Sequence, residues 1–396
     1  MPELLAPAGD FEKLEFAYLY GADAVYFGGQ NFSLRANAKN FSLEDMKKAT
    51  EYAHSLGKKV YVTVNIVFHD SDFDGLDDYL KYLDSIDIDG IIASDIAVIK
   101  RVQELKLHFG VTLSTQASLL NTRAVKFWKN LGVTRVVLAR EASREEIKKV
   151  KDTGIEVETF IHGAMCTSFS GKCVLSNYMT LRDSNRGGCA QVCRWNFTVE
   201  NNPDLTITPK DLNMIPFIKE EIDMGIDSFK IEGRMRSIYY VATVIDCYRL
   251  MIDAAQNNTL TQGLERYYLN ILNRCANRES TPQFYDKLPG VNEQYFNGRE
   301  EISNQDFLGL VVDYDEKNNM AVVESRNYFK VGDVVEFFGP NMETFTYKIN
   351  TIYNDLDEEI EVSRHPKTLV KLPMPQILEK NSMMRLKVFD KSEFIV

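Results

Sequence analysis

One phrase recurs along this chain and restricts what it can fold into. "YGADAVYF" (20–27), "LGVTRVVL" (131–138), "TGIEVETF" (153–160) and "MGIDSFKI" (224–231) each set a glycine one or two residues ahead of a short run of strand-forming residues. Glycine stops a helix there because it takes the left-handed conformation without a Cβ clash. Each phrase is therefore a helix-to-strand joint. Eight runs in all read as buried strands, at 3–9, 23–29, 59–65, 90–95, 110–116, 135–140, 156–163 and 228–233. Helical segments lie between most of them. The one at 42–57 opens on Ser42 with Asp45 three residues on, and the one at 143–154 opens on Ser143 with Glu146 in the same place; both end on glycine. Eight such units predict a (β/α)8 TIM-like barrel. The rival is an open doubly wound sheet, but no Gly-x-Gly-x-x-Gly fingerprint follows the first strand.

From about residue 303 the texture changes to alternating strands joined by Asn, Asp and Gly turns, as in "FLGLVVDYDEKNNMAVVES". This predicts a small antiparallel β-barrel or sandwich, with domains at 1–300 and 301–396. Residues 255–300 read as mixed. No apolar run is long enough for a membrane helix, and the first residues lack the basic and apolar regions of a signal peptide. The expected compartment is the cytoplasm, whose reducing chemistry disfavours stable disulfides. The net charge of −11 argues against indiscriminate nucleic-acid binding over the whole surface. The stretch 166–200 reverses that balance: Lys172, Arg182, Arg186 and Arg194 stand against Asp183 and Glu200.

The same stretch holds Cys166, Cys173, Cys189 and Cys193, four of the six cysteines, spaced C-x6-C-x15-C-x3-C. It leaves directly from the end of the seventh strand, and active sites of this fold lie at such strand ends. Thiolate is the soft ligand preferred by zinc and by iron–sulfur clusters. Zinc knuckles normally show two close pairs of the C-x2-C kind; here only the last pair is close. Irregular spacing suits a larger cluster better, and Gly163, Gly171, Gly187 and Gly188 would let the backbone approach a bulky group. On spacing alone a cluster leads, with zinc and metal-free thiols both open. Cys247 and Cys275, isolated in apparent helices, read as small buried hydrophobes.

"ETFIHGAMCTSFSGKCVLS" (158–176) resembles the signature of the U-32 peptidase family of collagenase-like proteins. The matching positions are Glu158, Phe160, Gly163, Ala164, Cys166, Gly171, Cys173, Leu175 and Ser176. "RDSNRGGCAQVCRW" (182–195) and "KIEGRMRSIYYVATVIDCYR" (230–249) are similar to the branch of that family acting in tRNA hydroxylation. The resemblance implies a prephenate-dependent tRNA hydroxylase that forms 5-hydroxyuridine at the wobble position. It implies a [4Fe-4S] cluster on Cys166, Cys173, Cys189 and Cys193, with tRNA as partner and room for a paralogous or iron–sulfur partner subunit. The ubiquinone-hydroxylation branch places its last ligand elsewhere, and this chain has no cysteine near Glu232.

Prephenate is a dicarboxylate, which the arginine fork grips in two hydrogen bonds. Candidates are Arg35, Arg140, Arg182, Arg186, Arg194 and Arg234; any single one is as readily a solvated or ion-paired surface residue. His162, Glu232 and Glu141 are candidate acids or bases at strand ends, with His162 equally a packed residue and the carboxylates equally partners of Arg234 and Arg140. Trp195 beside Arg194, and Tyr239 and Tyr240 beside Arg236, could stack an extruded base, although the tyrosines also suit helix packing. Two other classes of function stand beside the hydroxylase. A protease is what the family name suggests, but the chain has neither His-Glu-x-x-His nor Gly-x-Ser-x-Gly. A metal-binding scaffold that assembles an RNA-modifying partner needs no chemistry of its own.

Overall fold

The computed structural model describes residues 1–34, 40–200, 202–276, 278–297, 305–340 and 342–394. The eight expected strands are present: β1 (Glu3–Pro7), β2 (Ala24–Gly28), β3 (Lys59–Val64), β4 (Gly90–Ala93), β5 (Gly110–Leu113), β6 (Arg135–Val137), β7 (Glu156–Gly163) and β8 (Ser228–Ile231). Each pairs in parallel with the next, and β8 pairs with both β7 and β1, so the sheet closes into a barrel. Gly21, Gly132, Gly154 and Gly225, the glycines of the repeated phrase, all have positive φ, between 69° and 106°, as the joint requires. Both expected helix starts form capping boxes, Ser42 with Asp45 and Ser143 with Glu146.

A second device at these joints was not evident from the sequence. The aspartate just ahead of a strand accepts a hydrogen bond from the backbone of the strand before it. Asp23 bonds Leu4 N–H (3.0 Å), Asp89 bonds Val60 N–H (2.8 Å) and Asp227 bonds Val157 N–H (2.7 Å). Each bond supplies a partner to a main-chain donor at a strand start, where the ladder does not reach.

Outward strand residues pack under the helices in one large core. The lumen is different. Leu5, Ala24, Tyr26, Tyr61 and Ile92 form a small apolar cluster there, and charges fill the rest. Arg135 reaches Glu3 (2.6 Å), Glu156 (2.9 Å) and Glu158 (3.4 Å), and Lys230 reaches Glu158 (2.6 Å). The Lys230 ammonium also lies 4.4 Å over the Tyr26 ring, a cation–π contact.

Between β7 and β8 the chain makes the cysteine loop and then a hairpin of strands Phe197–Val199 and Asn202–Pro209. A short strand, Asp211–Asn213, follows and runs antiparallel to the end of β7. Next comes a short helix, Ile218–Asp223, whose Glu221 takes a hydrogen bond from Thr159 on β7 (3.1 Å). Burial pushes the Glu221 carboxyl up to about 8, against the pull of the Thr159 hydrogen bond. A folded pKa above the unfolded one means stability present at low pH and lost as pH rises from about 4.5 through about 8. Glu221→Gln is therefore expected to flatten the alkaline limb of the stability profile. Its advantage over the parent should grow to a few kcal/mol between about pH 5 and about pH 8.5 in urea unfolding.

The helices Ile238–Gln256 and Gln262–Cys275 follow β8 and bury Cys247 and Cys275. The domain boundary expected at residue 300 falls in 298–304, outside the described residues. From Phe307 onward eight strands form a wholly antiparallel sheet with its own core. Its two end strands, Met342–Lys348 and Glu359–Ile360, share no ladder among the described residues, so hydrogen bonding does not close it into a barrel. This domain docks on the first. Tyr20 donates to the Asn381 carbonyl (2.8 Å), and the Tyr239 and Phe307 rings stack at 4.8 Å.

Candidate metal centre

The chain leaves β7 at Gly163, whose φ is +118°. A Cβ there would lie 2.6 Å from the Glu232 carbonyl oxygen. Glycine is needed because β8 passes this close, and Gly163 itself does not line the cavity described next.

Cys166, Cys173, Cys189 and Cys193 all line one cavity of about 540 Å³ over the barrel mouth. The loop is pinned around it at several points. Glu141 accepts from the Ser170 backbone (2.7 Å) and hydroxyl (3.2 Å), so its carboxylate is a clamp between barrel and loop. Asn185 grips Cys173 from both sides, accepting from its N–H (3.2 Å) and donating to its carbonyl (2.9 Å). The Cys193 carbonyl accepts from Thr208 (2.8 Å). Arg186 forms a fork on Asp72, with Nη2 to Oδ1 at 2.7 Å, and so ties the loop to the segment after β3. That bond makes Arg186 an ion-paired strut and removes it from the free anion ligands.

All four thiols are free. Cys166 Sγ lies 2.9 Å from the Ser168 hydroxyl, and Cys173 Sγ accepts from Leu175 N–H at 3.4 Å. Burial raises the Cys193 thiol above its ordinary range. A hydrogen bond with Thr167 opposes the rise, and the Cys166 and Cys189 sulfurs are near enough to add to it. Among the described residues no three His, Cys, Asp or Glu side chains form a group that could hold a metal ion as they stand.

Other expected residues separate into two groups. Arg140, Glu141, Gly171, Arg194 and Glu232 line the cavity, and Arg140 also donates to the Ala164 carbonyl with its guanidinium 3.9 Å over the Phe160 ring. His162 and Arg234 do not line it. Strict alternation along β7 would turn His162 inward with Glu158 and Phe160. The β7–β8 register slips by one residue between Lys230 and Ile231, and this bulge turns His162 outward. Its ring packs 5.9 Å from Tyr240 and 5.6 Å from Tyr248, and Nδ1 lies 3.3 Å from the Tyr248 hydroxyl. Burial pushes the imidazole down to about 3, so it is neutral at pH 7 and sealed from the cavity. Arg234 is buried against Ser33 (3.2 Å) and Thr63 (3.2 Å), holding the segment after β2 over the barrel. Tyr240 is likewise buried, and Tyr239 stacks on Phe307, so neither offers a face to a base. Arg35 lies outside the described residues.

Sequence reasoning missed Arg278 and undervalued Arg236. Both line the cavity and share one carboxylate, Asp211, at 3.2 and 3.3 Å. Arg278 lies in the segment read as mixed, where no motif marks it.

The profile of peptidase family U32 matches residues 9–295, and that of the U32 C-terminal domain matches 303–385. The chain belongs to peptidase family U32. Within that family its relatives carry different names. A Bacillus subtilis (strain 168) protein named tRNA hydroxylation protein P1 is 47% identical, over 97% of this chain and 94% of its own. A Porphyromonas gingivalis protein named collagenase is 31% identical over 99% and 98%. The Escherichia coli (strain K12) 23S rRNA 5-hydroxycytidine C2501 synthase is 33% identical over 73% of this U32 chain and 46% of its own length. No helix among the described residues is long and apolar enough to cross a membrane.

Proposed function

We propose that this U32 protein is an RNA hydroxylase that carries a [4Fe-4S] cluster and acts on tRNA with prephenate, forming 5-hydroxyuridine at the wobble position. The observation that carries the reading is the gathering of four thiols around one cavity at the barrel mouth. The near half identity to a protein named for tRNA hydroxylation supports it, as does similarity to an rRNA hydroxycytidine synthase.

The donor set fits a cluster. Four soft thiolates from one loop line a single cavity of about 540 Å³, which is the donor chemistry that an iron–sulfur cluster takes. When bound, such a cluster supplies electron transfer or a rigid anchor for the loop. Arg194, Arg236 and Arg278 on the cavity wall offer guanidinium forks to a dicarboxylate such as prephenate, with Asp211 offsetting one charge only. Glu141 is spent on Ser170; Glu232, the other carboxylate on the cavity wall among the described residues, is the candidate for proton transfer.

The protease reading has a relative's name behind it but lacks parts. No histidine lines the cavity, so its serines and cysteines have no imidazole base there. Deleting the gene should abolish 5-hydroxyuridine in tRNA nucleosides measured by mass spectrometry, and a plasmid copy should restore it. An unchanged nucleoside level in the deletion strain would overturn the proposal.

A further inference from the structure

Beside the cysteine cavity lies a second, open one of about 430 Å³. Cys189, Gln191, Arg194 and Arg278 line both, so the two adjoin. Arg182, Ala190 and Trp195 complete the second. Among the described residues neither Arg182 nor Arg194 pairs with a carboxylate; Arg194 donates to the neutral Gln191 side chain at 2.7 Å. Three arginines and no carboxylate line the hollow among the described residues. In a chain of net charge −11, this is a locally positive hollow.

Its rim is apolar as well. The short helix Leu175–Thr180 is fixed to the hollow by the Ala190 N–H, which donates to Ser176 Oγ at 3.0 Å. That helix and its cap hold Tyr178, Met179 and Leu181 at 83%, 51% and 95% exposure, and Trp195 is 40% exposed. Large side chains this open, on a loop otherwise pinned by hydrogen bonds, mark a contact surface. The partner must be anionic and must present flat apolar faces. Unpaired nucleotides have both properties: phosphates for guanidinium groups and bases for aromatic rings. An apolar protein partner would answer the rim but leave Arg182 and Arg194 unmatched.

We propose that the hollow and its rim receive the unpaired loop of an RNA. Trp195 and Tyr178 stack bases, while Arg182, which lines only the outer hollow, holds a phosphate beside the nucleotide that enters the cysteine cavity. This rests on the RNA-hydroxylase reading and adds where the RNA lies and which residues grip it.

The test is fluorescence-polarisation titration of the iron-loaded full chain with an RNA hairpin bearing an unpaired loop, against a blunt RNA duplex. The wild type should prefer the hairpin. Trp195→Ala should weaken hairpin binding about tenfold and Tyr178→Ala by a smaller factor. Arg182→Gln should reduce the salt slope by about 0.7. All three sites are exposed, and iron content should stay at the wild-type level. Lys47→Gln, on a remote helix, should change nothing. Equal affinity for hairpin and duplex overturns the inference. So do Trp195→Ala and Tyr178→Ala proteins that bind the hairpin like the wild type. Variants that keep RNA affinity but lose self-association in sedimentation would make the rim a protein contact, which also overturns it. The hydroxylase reading is judged separately by the nucleoside content of the deletion strain, so either can fail without the other.

Discussion

Glu158→Gln is expected to lower the unfolding free energy by about 3–5 kcal/mol, read from urea midpoints at constant slope. Glu158 is 1% exposed and holds two cations in the barrel lumen, Lys230 at 2.6 Å and Arg135 at 3.4 Å. Arg135 keeps Glu3 and Glu156 after the substitution. Lys230 does not have that reserve. Its ammonium would remain inside the barrel with the Tyr26 and Phe160 rings and a neutral amide. An unpaired buried charge is the costly outcome, whereas removing both members of a pair is often close to neutral. Glu158→Gln with Lys230→Met should therefore recover most of the loss, giving a large coupling energy in the double-mutant cycle. Equal destabilisation by the single and double variants would mean that shape, and not charge pairing, fills the lumen.

The lumen also shows what a sequence can and cannot reveal. The barrel was legible because its rule is local: a glycine with positive φ, then a strand, repeated at Gly21, Gly132, Gly154 and Gly225. The gathering of the cysteines was legible for a similar reason, since all four lie on one loop leaving one strand end. The charge network was not, because Glu3, Arg135, Glu158 and Lys230 come from four strands and meet only when the barrel closes. Arg278 reaches the cavity from beyond the helix Gln262–Cys275, again by tertiary placement. For His162 the sequence left a site role and a packed role equally open, and a single slip in register decides for packing. No residue type in "ETFIHG" marks that slip; it becomes visible only when β7 is laid against β8.

Cys189→Ala with Cys193→Ala should abolish both bound iron in anaerobically purified protein and 5-hydroxyuridine in the complemented deletion strain. The expectation follows from the division of labour within the loop. Its fold is held by groups other than sulfur: Glu141 on Ser170, Asn185 on Cys173, Asp72 on Arg186 and Thr208 on the Cys193 carbonyl. None of these bonds uses the thiol of Cys189 or Cys193, so losing both sulfurs should leave the loop and the melting temperature nearly in place. Cys189 is exposed and Cys193 half-buried, so alanine there opens little core. Cys247→Ala supplies the opposite control. Its thiol is buried in a helix away from the cavity, so the variant should lose stability by a cavity term of about 1 kcal/mol or more while keeping its iron. Iron retained without Cys189 and Cys193 would exclude them as ligands. Iron lost equally from Cys247→Ala would show that metal content follows fold stability and not ligation.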